Sequence, residues 1–172
     1  MTSLYPVDPI ALPPSPNWYG SHLSDWGYQG RLVAIAAHNL VVLLRPDEIC
    51  FEATLAGHTN RVTAVAFVKL LNSNHLLISG SADRTLRVWD TVTRQQTQIL
   101  RGHNAEVTAL ATSSQIADAV LSGDKDGHLL SWRFSSGERC AASKRLGDSA
   151  ILCIAINPAK ARGSPAPQLH LP

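Results

Sequence analysis

Cysteine is scarce in this chain of 172 residues: Cys50, Cys140 and Cys153 are the full set. They are scattered and odd in number, and no CxxC pair occurs. Neither a disulfide framework nor a zinc site is indicated. Long apolar runs are missing too. "LVAIAA" and "LVVLL" are far too short to span a membrane. The opening "MTSLYPVDPIALPPSP" has no basic start and no unbroken apolar core, which excludes a signal peptide. No N-x-[ST] acceptor is present. An excess of one charge is also lacking. Fifteen Lys and Arg against thirteen Asp and Glu leave +2, too little to argue for nucleic acid by itself. What remains is 45% hydrophobic and 16% charged, a globular composition long enough for one real core. These absences together suit a soluble protein of a reducing compartment.

Chemistry-bearing motifs are missing as well. There is no GxGxxG, no GxxxxGK[ST], no HExxH, and no paired carboxylate set with a pocket around it. No cofactor and no metal are expected, nor a small-molecule substrate. No segment carries a helical period.

What is present is a repeat. Residues 55–90, "LAGHTNRVTAVAFVKLLNSNHLLISGSADRTLRVWD", align with residues 100–134, "LRGHNAEVTALATSSQIADAVLSGDKDGHLLSWRF". In each copy Gly-His is followed by "VTA", then "SG", then an Asp six residues before a Trp. "VTAVAF", "HLLIS" and "TLRVW" read as strands, and "SADRT" and "KDGH" as tight turns. Four short strands per roughly 40–45 residues, with Gly-His early and Trp-Asp late, resemble the WD-repeat family over residues 30–157. Arg133 departs from the pattern, standing where the Asp of Trp-Asp is expected. Fainter copies flank the pair. "RLVAIAAHNLVVLLRP" with "ICFEATLAGH" reads as the later strands of a preceding blade. "SAILCIAINP", residues 149–158, reads as the first strand of a following one.

His58, Ser79 and Asp83 invite reading as a hydrolase triad. The same constellation occurs twice at the same spacing, with a Trp at its end, whereas a nucleophile is needed once. The WD-repeat resemblance implies instead two structural tetrads, His58–Ser79–Asp83–Trp89 and His103–Ser122–Asp126–Trp132. A chain of donors and acceptors satisfies buried polar groups together. No catalytic residue is assigned, and no enzymatic activity is expected.

The expected fold is therefore all-β: an incomplete WD-repeat β-propeller, two whole blades plus parts of two others, with an extended N-terminal arm. The boundaries are 1–29 for a proline-rich arm, 30–157 for the partial propeller and 158–172 for an irregular tail. A closed ring needs about four to eight blades, so the expectation is a piece of a longer protein or a truncated form completed by another chain.

The arm has five prolines, Pro6, Pro9, Pro13, Pro14 and Pro16, which favour an extended approach to Trp18 and Tyr19. Adjacent aromatics either plug the propeller rim or form a stacking platform for unpaired bases. Trp26 and Tyr28 read as blade packing. Arg61, Arg84, Arg87 and Arg101 read as solvated surface.

"LPPSPNWY", followed by "SD", a "GHT-RV" blade, "SGD-DG" and "IL(C)-IA-NP", resembles the gem-associated protein five family of the SMN complex over about residues 12–157. That resemblance implies recognition of the uridine-rich Sm site of small nuclear RNA for snRNP assembly and mRNA splicing. It implies SMN-complex proteins as partners, no membrane, and a place in cytoplasm and nuclear bodies. It implies RNA contacts at Trp18 and Tyr19, with Asn17 orienting the arm. His38 stands about where the family has an arginine, so a contact there is weakened or pH-dependent. Cap binding is not assigned to this chain. The alternative function is a generic WD-repeat scaffold for protein–protein interaction.

Overall fold

Strands that are apolar on both faces must be covered on both faces, and the chain achieves this by stacking sheets. The computed structural model describes residues 17, 23–27, 31–48, 50–68, 75–112, 118–133, 136–140 and 144–156. Three four-stranded antiparallel sheets follow one another, each built in chain order. The first contains β1 (Ser24–Trp26), β2 (Val33–Ala37), β3 (Leu40–Arg45) and β4 (Cys50–Ala56). The second contains β5 (Val62–Phe67), β6 (Leu76–Ser81), β7 (Thr85–Asp90) and β8 (Gln95–Arg101). The third contains β9 (Val107–Thr112), β10 (Ala119–Asp124), β11 (His128–Arg133) and the short β12 (Lys144–Arg145).

Position in the sheet explains composition. The inner strands β5 and β9, "VTAVAF" and "VTALAT", are buried along nearly their whole length. The outer strand β8, "QQTQILR", is exposed over its first half and polar there. Between the first and second sheets, Val41, Leu43 and Leu55 pack with Phe67, Leu77 and Trp89. Between the second and third, Ile78, Leu86 and Leu100 pack with Val107, Leu130 and Trp132. Each indole is about 1% exposed. Covering one contributes about 4–6 kcal/mol of gross hydrophobic stabilisation as an upper bound.

The stacking needs close approach, which two glycines permit. A Cβ on Gly80 of β6 would lie 2.6 Å from Val107 Cγ1, and one on Gly123 of β10 would lie 2.6 Å from Ile151. Threonines then tie the inner strands edge to edge. Thr63 Oγ1 donates to the Val107 carbonyl. Thr108 Oγ1 donates to the Ile151 carbonyl at 2.6 Å.

The first sheet is more complete than its sequence suggested. It has four strands, and β1 lies inside residues 1–29, the stretch expected to be an extended arm. "SDW" is too short and polar to read as a strand. Its pairing with β2, Ser24 to Ile35 and Trp26 to Val33, is imposed by the partner. Trp26 is 57% exposed, contrary to the packing expected of it. Tyr28 lies outside the described residues. Residues 151–156 hold the place of a following inner strand, because Ile151 N donates to the Asp124 carbonyl at 3.1 Å. The segment forms no strand ladder with any described residue. With β1, β5 and β9 it borders a cleft of about 200 Å³ between the inner strands. The expected tail, 158–172, lies outside the described residues. Among the described residues no helix is long and apolar enough to cross a membrane.

Gly80→Val should destabilise the chain by about 1–3 kcal/mol in urea unfolding, by forcing the second and third sheets apart. Gly147→Ala should change stability by less than about 0.5 kcal/mol, because a Cβ there meets nothing within 4 Å.

Candidate functional site

The Gly-His and Trp of each repeat meet at a buried serine. In the second sheet the Trp89 indole N–H donates to Ser79 Oγ at 2.8 Å. Ser79 Oγ lies 2.8 Å from His58 Nε2, and His58 Nδ1 lies 2.8 Å from Asp83 Oδ2. One proton arrangement satisfies every member. Ser79 donates to Nε2, and Nδ1–H donates to the carboxylate. The glycine preceding the histidine is required by the same packing. A Cβ on Gly57 would sit 3.0 Å from Trp89 Cη2, and one on Gly102 would sit 2.9 Å from Trp132 Cη2.

The third sheet repeats the relay with one change. Trp132 Nε1 donates to Ser122 Oγ at 2.7 Å, and Ser122 Oγ lies 2.6 Å from His103 Nε2. The carboxylate on His103 Nδ1, at 2.8 Å, belongs to Asp124. Asp126, the residue expected there, is exposed on the turn. The register of β10 on β9 shifts at Gly123/Asp124, a kind of irregularity that re-aims side chains. Asp124, 1% exposed, also accepts from the backbone N–H groups of Asp126 and His128 at 3.0 and 2.9 Å. In the second sheet the aligned position is Ser81, whose short side chain accepts from Asp83 N at 3.0 Å and leaves His58 to Asp83. The clue lay in "SGDKDG": two aspartates stand where the other copy has one.

The electrostatics follow from burial. Burial pushes the His58 and His103 pKa values down, and the facing carboxylates only partly oppose this. Burial alone would raise the Asp83 pKa. Hydrogen bonds from Thr85 and His58 outweigh it and bring the group to about 2. Asp124 is likewise lowered, as hydrogen bonds from His103 and the His128 amide overcome its burial. Both Ser79 and Ser122 are fully buried, with the oxygen already engaged by an indole. Neither is placed to attack a substrate. Among the described residues no group of three or more His, Cys, Asp or Glu could hold a metal ion.

A second cluster lies at the end of the sheets where β2 turns into β3. Asn17 N donates to the Ala36 carbonyl at 2.9 Å. Its side-chain Nδ2 donates to the carbonyls of His38 at 3.0 Å and Val62 at 2.9 Å. Its Oδ1 accepts from His38 N at 2.8 Å. Asn17 thus ties the turn of the first sheet to the inner strand of the second, as Thr63 and Thr108 tie the later pairs. Ala36 N in turn donates to the Leu23 carbonyl at 2.8 Å. The chain from Asn17 to Leu23 therefore starts and ends on one residue. Trp18 and Tyr19 lie outside the described residues. His38 is exposed. Arg61 is 58% exposed and bonded to Glu106 at 2.7 Å, whereas Arg87 is partly buried against Gln96 rather than solvated.

Stacked four-stranded sheets, a Gly-His and Trp joined through a serine, and two copies of both define a WD-repeat β-propeller, here incomplete. Residues 50–90 and 94–133 match the family described as WD domain, G-beta repeat. Each matched segment begins in the outer strand of one sheet and ends in the third strand of the next. The chain is a WD-repeat protein related to Gem-associated protein 5. It is 34% identical to that protein of Mus musculus over 130 residues, 70% of this chain and 9% of the relative. It is 30% identical to that of Homo sapiens over 141 residues, 76% of this chain and 9% of the relative. Pre-mRNA-processing factor 19 of Bos taurus is 36% identical over 100 residues, 58% of this chain and 18% of that protein. The chain spans about a tenth of the length of the Gem-associated relatives it matches.

Asp124→Asn should lower stability by about 1–3 kcal/mol, and Asp126→Asn by less than about 0.5 kcal/mol, in parallel denaturant titrations. Acid should act in two stages. A histidine with a lowered pKa stabilises the fold above its unfolded value of about 6.5. Stability should therefore begin to fall below about pH 6.5, as the unfolded chain takes up protons first. A carboxylate with a lowered pKa loses its contribution between the unfolded value of about 3.9 and the folded one. A second fall, from about pH 4 toward 2, should disappear in part when Asp83 is replaced by Asn. Melting temperatures across this range test both stages.

Proposed function

We infer that this chain is an RNA-contacting part of a reader of single-stranded, uridine-rich RNA of the Sm-site type, acting with SMN-complex proteins in snRNP assembly in cytoplasm and nuclear bodies. The observation that carries this reading is the Asn17 clamp. Three side-chain hydrogen bonds and one backbone bond fix the residue that immediately precedes Trp18. A platform for stacking gains affinity when its attachment is ordered before the ligand arrives. A rim plug needs no such anchor, because burial would hold it. The likeness to Gem-associated protein 5 supports the same reading. Bases stack on the Trp18 and Tyr19 faces, and this requires little net positive charge, in keeping with the +2 of the chain. His38, bonded to Asn17 through its own backbone, is exposed.

Trp18→Ala with Tyr19→Ala should weaken binding of a uridine-rich oligonucleotide by about thirtyfold or more, at about 1–3 kcal/mol per stacked base. Fluorescence anisotropy with the whole chain reads this out. Unchanged binding would remove the RNA reading and leave a WD-repeat scaffold for protein partners.

A further inference from the structure

A left-handed backbone at a residue with a side chain is uncommon and costs energy, so its persistence calls for a cause. Among the described residues four non-glycines adopt it: His38 (φ 52°), Arg84 (φ 67°), Arg94 (φ 60°) and Asp118 (φ 60°). Two lie at the far end of the sheets. Arg94 stands in the β7–β8 connection, where its guanidinium bonds Glu52 at 2.6 Å. That ion pair accounts for the side chain. Asp118 stands just before β10, at the same far end.

His38 and Arg84 lie at the Asn17 end, in the β2–β3 and β6–β7 turns. The matching β10–β11 turn of the third sheet has Gly127 at φ 80°. Three corresponding turns therefore place His, Arg and Gly in the same left-handed conformation, for which glycine is the low-cost residue. Gly127 has a local reason to be glycine, since a Cβ there would lie 2.3 Å from the Gly147 carbonyl oxygen. Arg84 is exposed, and its guanidinium makes no hydrogen bond or ion pair with any described residue. The fold gains nothing visible from it.

The two turns are joined. Val62 N donates to the His38 carbonyl at 2.7 Å, and Ala82 N donates to the Arg61 carbonyl at 3.0 Å. One peptide, Arg61–Val62, thus carries both turns, and the next carbonyl along, that of Val62, accepts the Asn17 side chain. Arg61 itself is paired with Glu106 at 2.7 Å, whereas the Arg84 guanidinium, in the turn joined to that of His38, meets no described partner.

We propose that Arg84 and His38 form a phosphate-contacting track on this rim, along which the backbone of a bound single-stranded RNA lies. The proposal rests on the RNA reading above and adds to it the residues that hold the phosphodiester. A guanidinium offers a planar pair of donors suited to phosphate oxygens. Such a contact positions the strand without reading its sequence.

The test is Arg84→Gly in the whole chain, with Arg94→Gly as control, using a uridine homopolymer at several salt concentrations. Glycine suits the local backbone, so the melting temperature of Arg84→Gly should be unchanged or higher. Its affinity should fall about three- to tenfold, and the slope of log K against log salt should become shallower by about 0.7, one single-strand phosphate contact. Arg94→Gly should bind as the parent does. A lower melting temperature for Arg84→Gly would make the residue structural and overturn the track. Unchanged affinity for Arg84→Gly, beside a loss in Trp18→Ala with Tyr19→Ala, would overturn the track alone. A parent chain that does not bind the homopolymer would overturn the track and the RNA reading together.

Discussion

The architecture depends on a serine oxygen that is buried twice over. Ser79 and Ser122 each take an indole N–H and lie against a histidine nitrogen. Neither indole could sit between sheets with its N–H unmet, because an unpaired buried donor costs about as much as a good contact returns. Once the serine accepts it, the hydroxyl proton must go somewhere, and the histidine accepts that. The imidazole then has its own proton to place, and the aspartate receives it. The large apolar side chain and the polar relay are one device. Trp89 and Trp132 join sheets only because three smaller residues make them electrically acceptable there.

Close approach is the second constraint. Glycines at 80 and 123 admit the next inner strand, and Thr63 and Thr108 bond across the gap so created. At the first seam Asn17 performs the bond that threonine performs later. Asn17 is therefore part of the stacking scheme.

Much of this was readable in advance. Gly-His, "SG" and Trp recur at matched spacing, and the WD-repeat resemblance implied that they form a network before any coordinates. The departures have physical reasons. Asp126 holds the aligned position, but Asp124, next to a register shift, reaches His103 first. Alignment counts residues, whereas a carboxylate responds to reach and to the amides around it. β1 was hidden because three residues, two of them polar, carry no periodicity, and a strand so short is specified by its partner. Trp26 was expected to pack because it stands just before the first strand read from the sequence, yet an edge position on a three-residue strand leaves it exposed. Arg84 was legible as surface. Its backbone conformation was not, since left-handed geometry at an arginine has no signal in composition.

The matched repeats and the sheets are out of phase by one strand. Residues 50–90 begin in β4, which closes the first sheet, and continue through three strands of the second. The units of inheritance and the units of stacking thus overlap like shingles. A repeat exchanged or lost in evolution carries away the outer course of one layer with the body of the next. Its neighbours on both sides must then be rejoined at once. Such a chain tolerates change inside a turn far more readily than a shift in the number of its repeats.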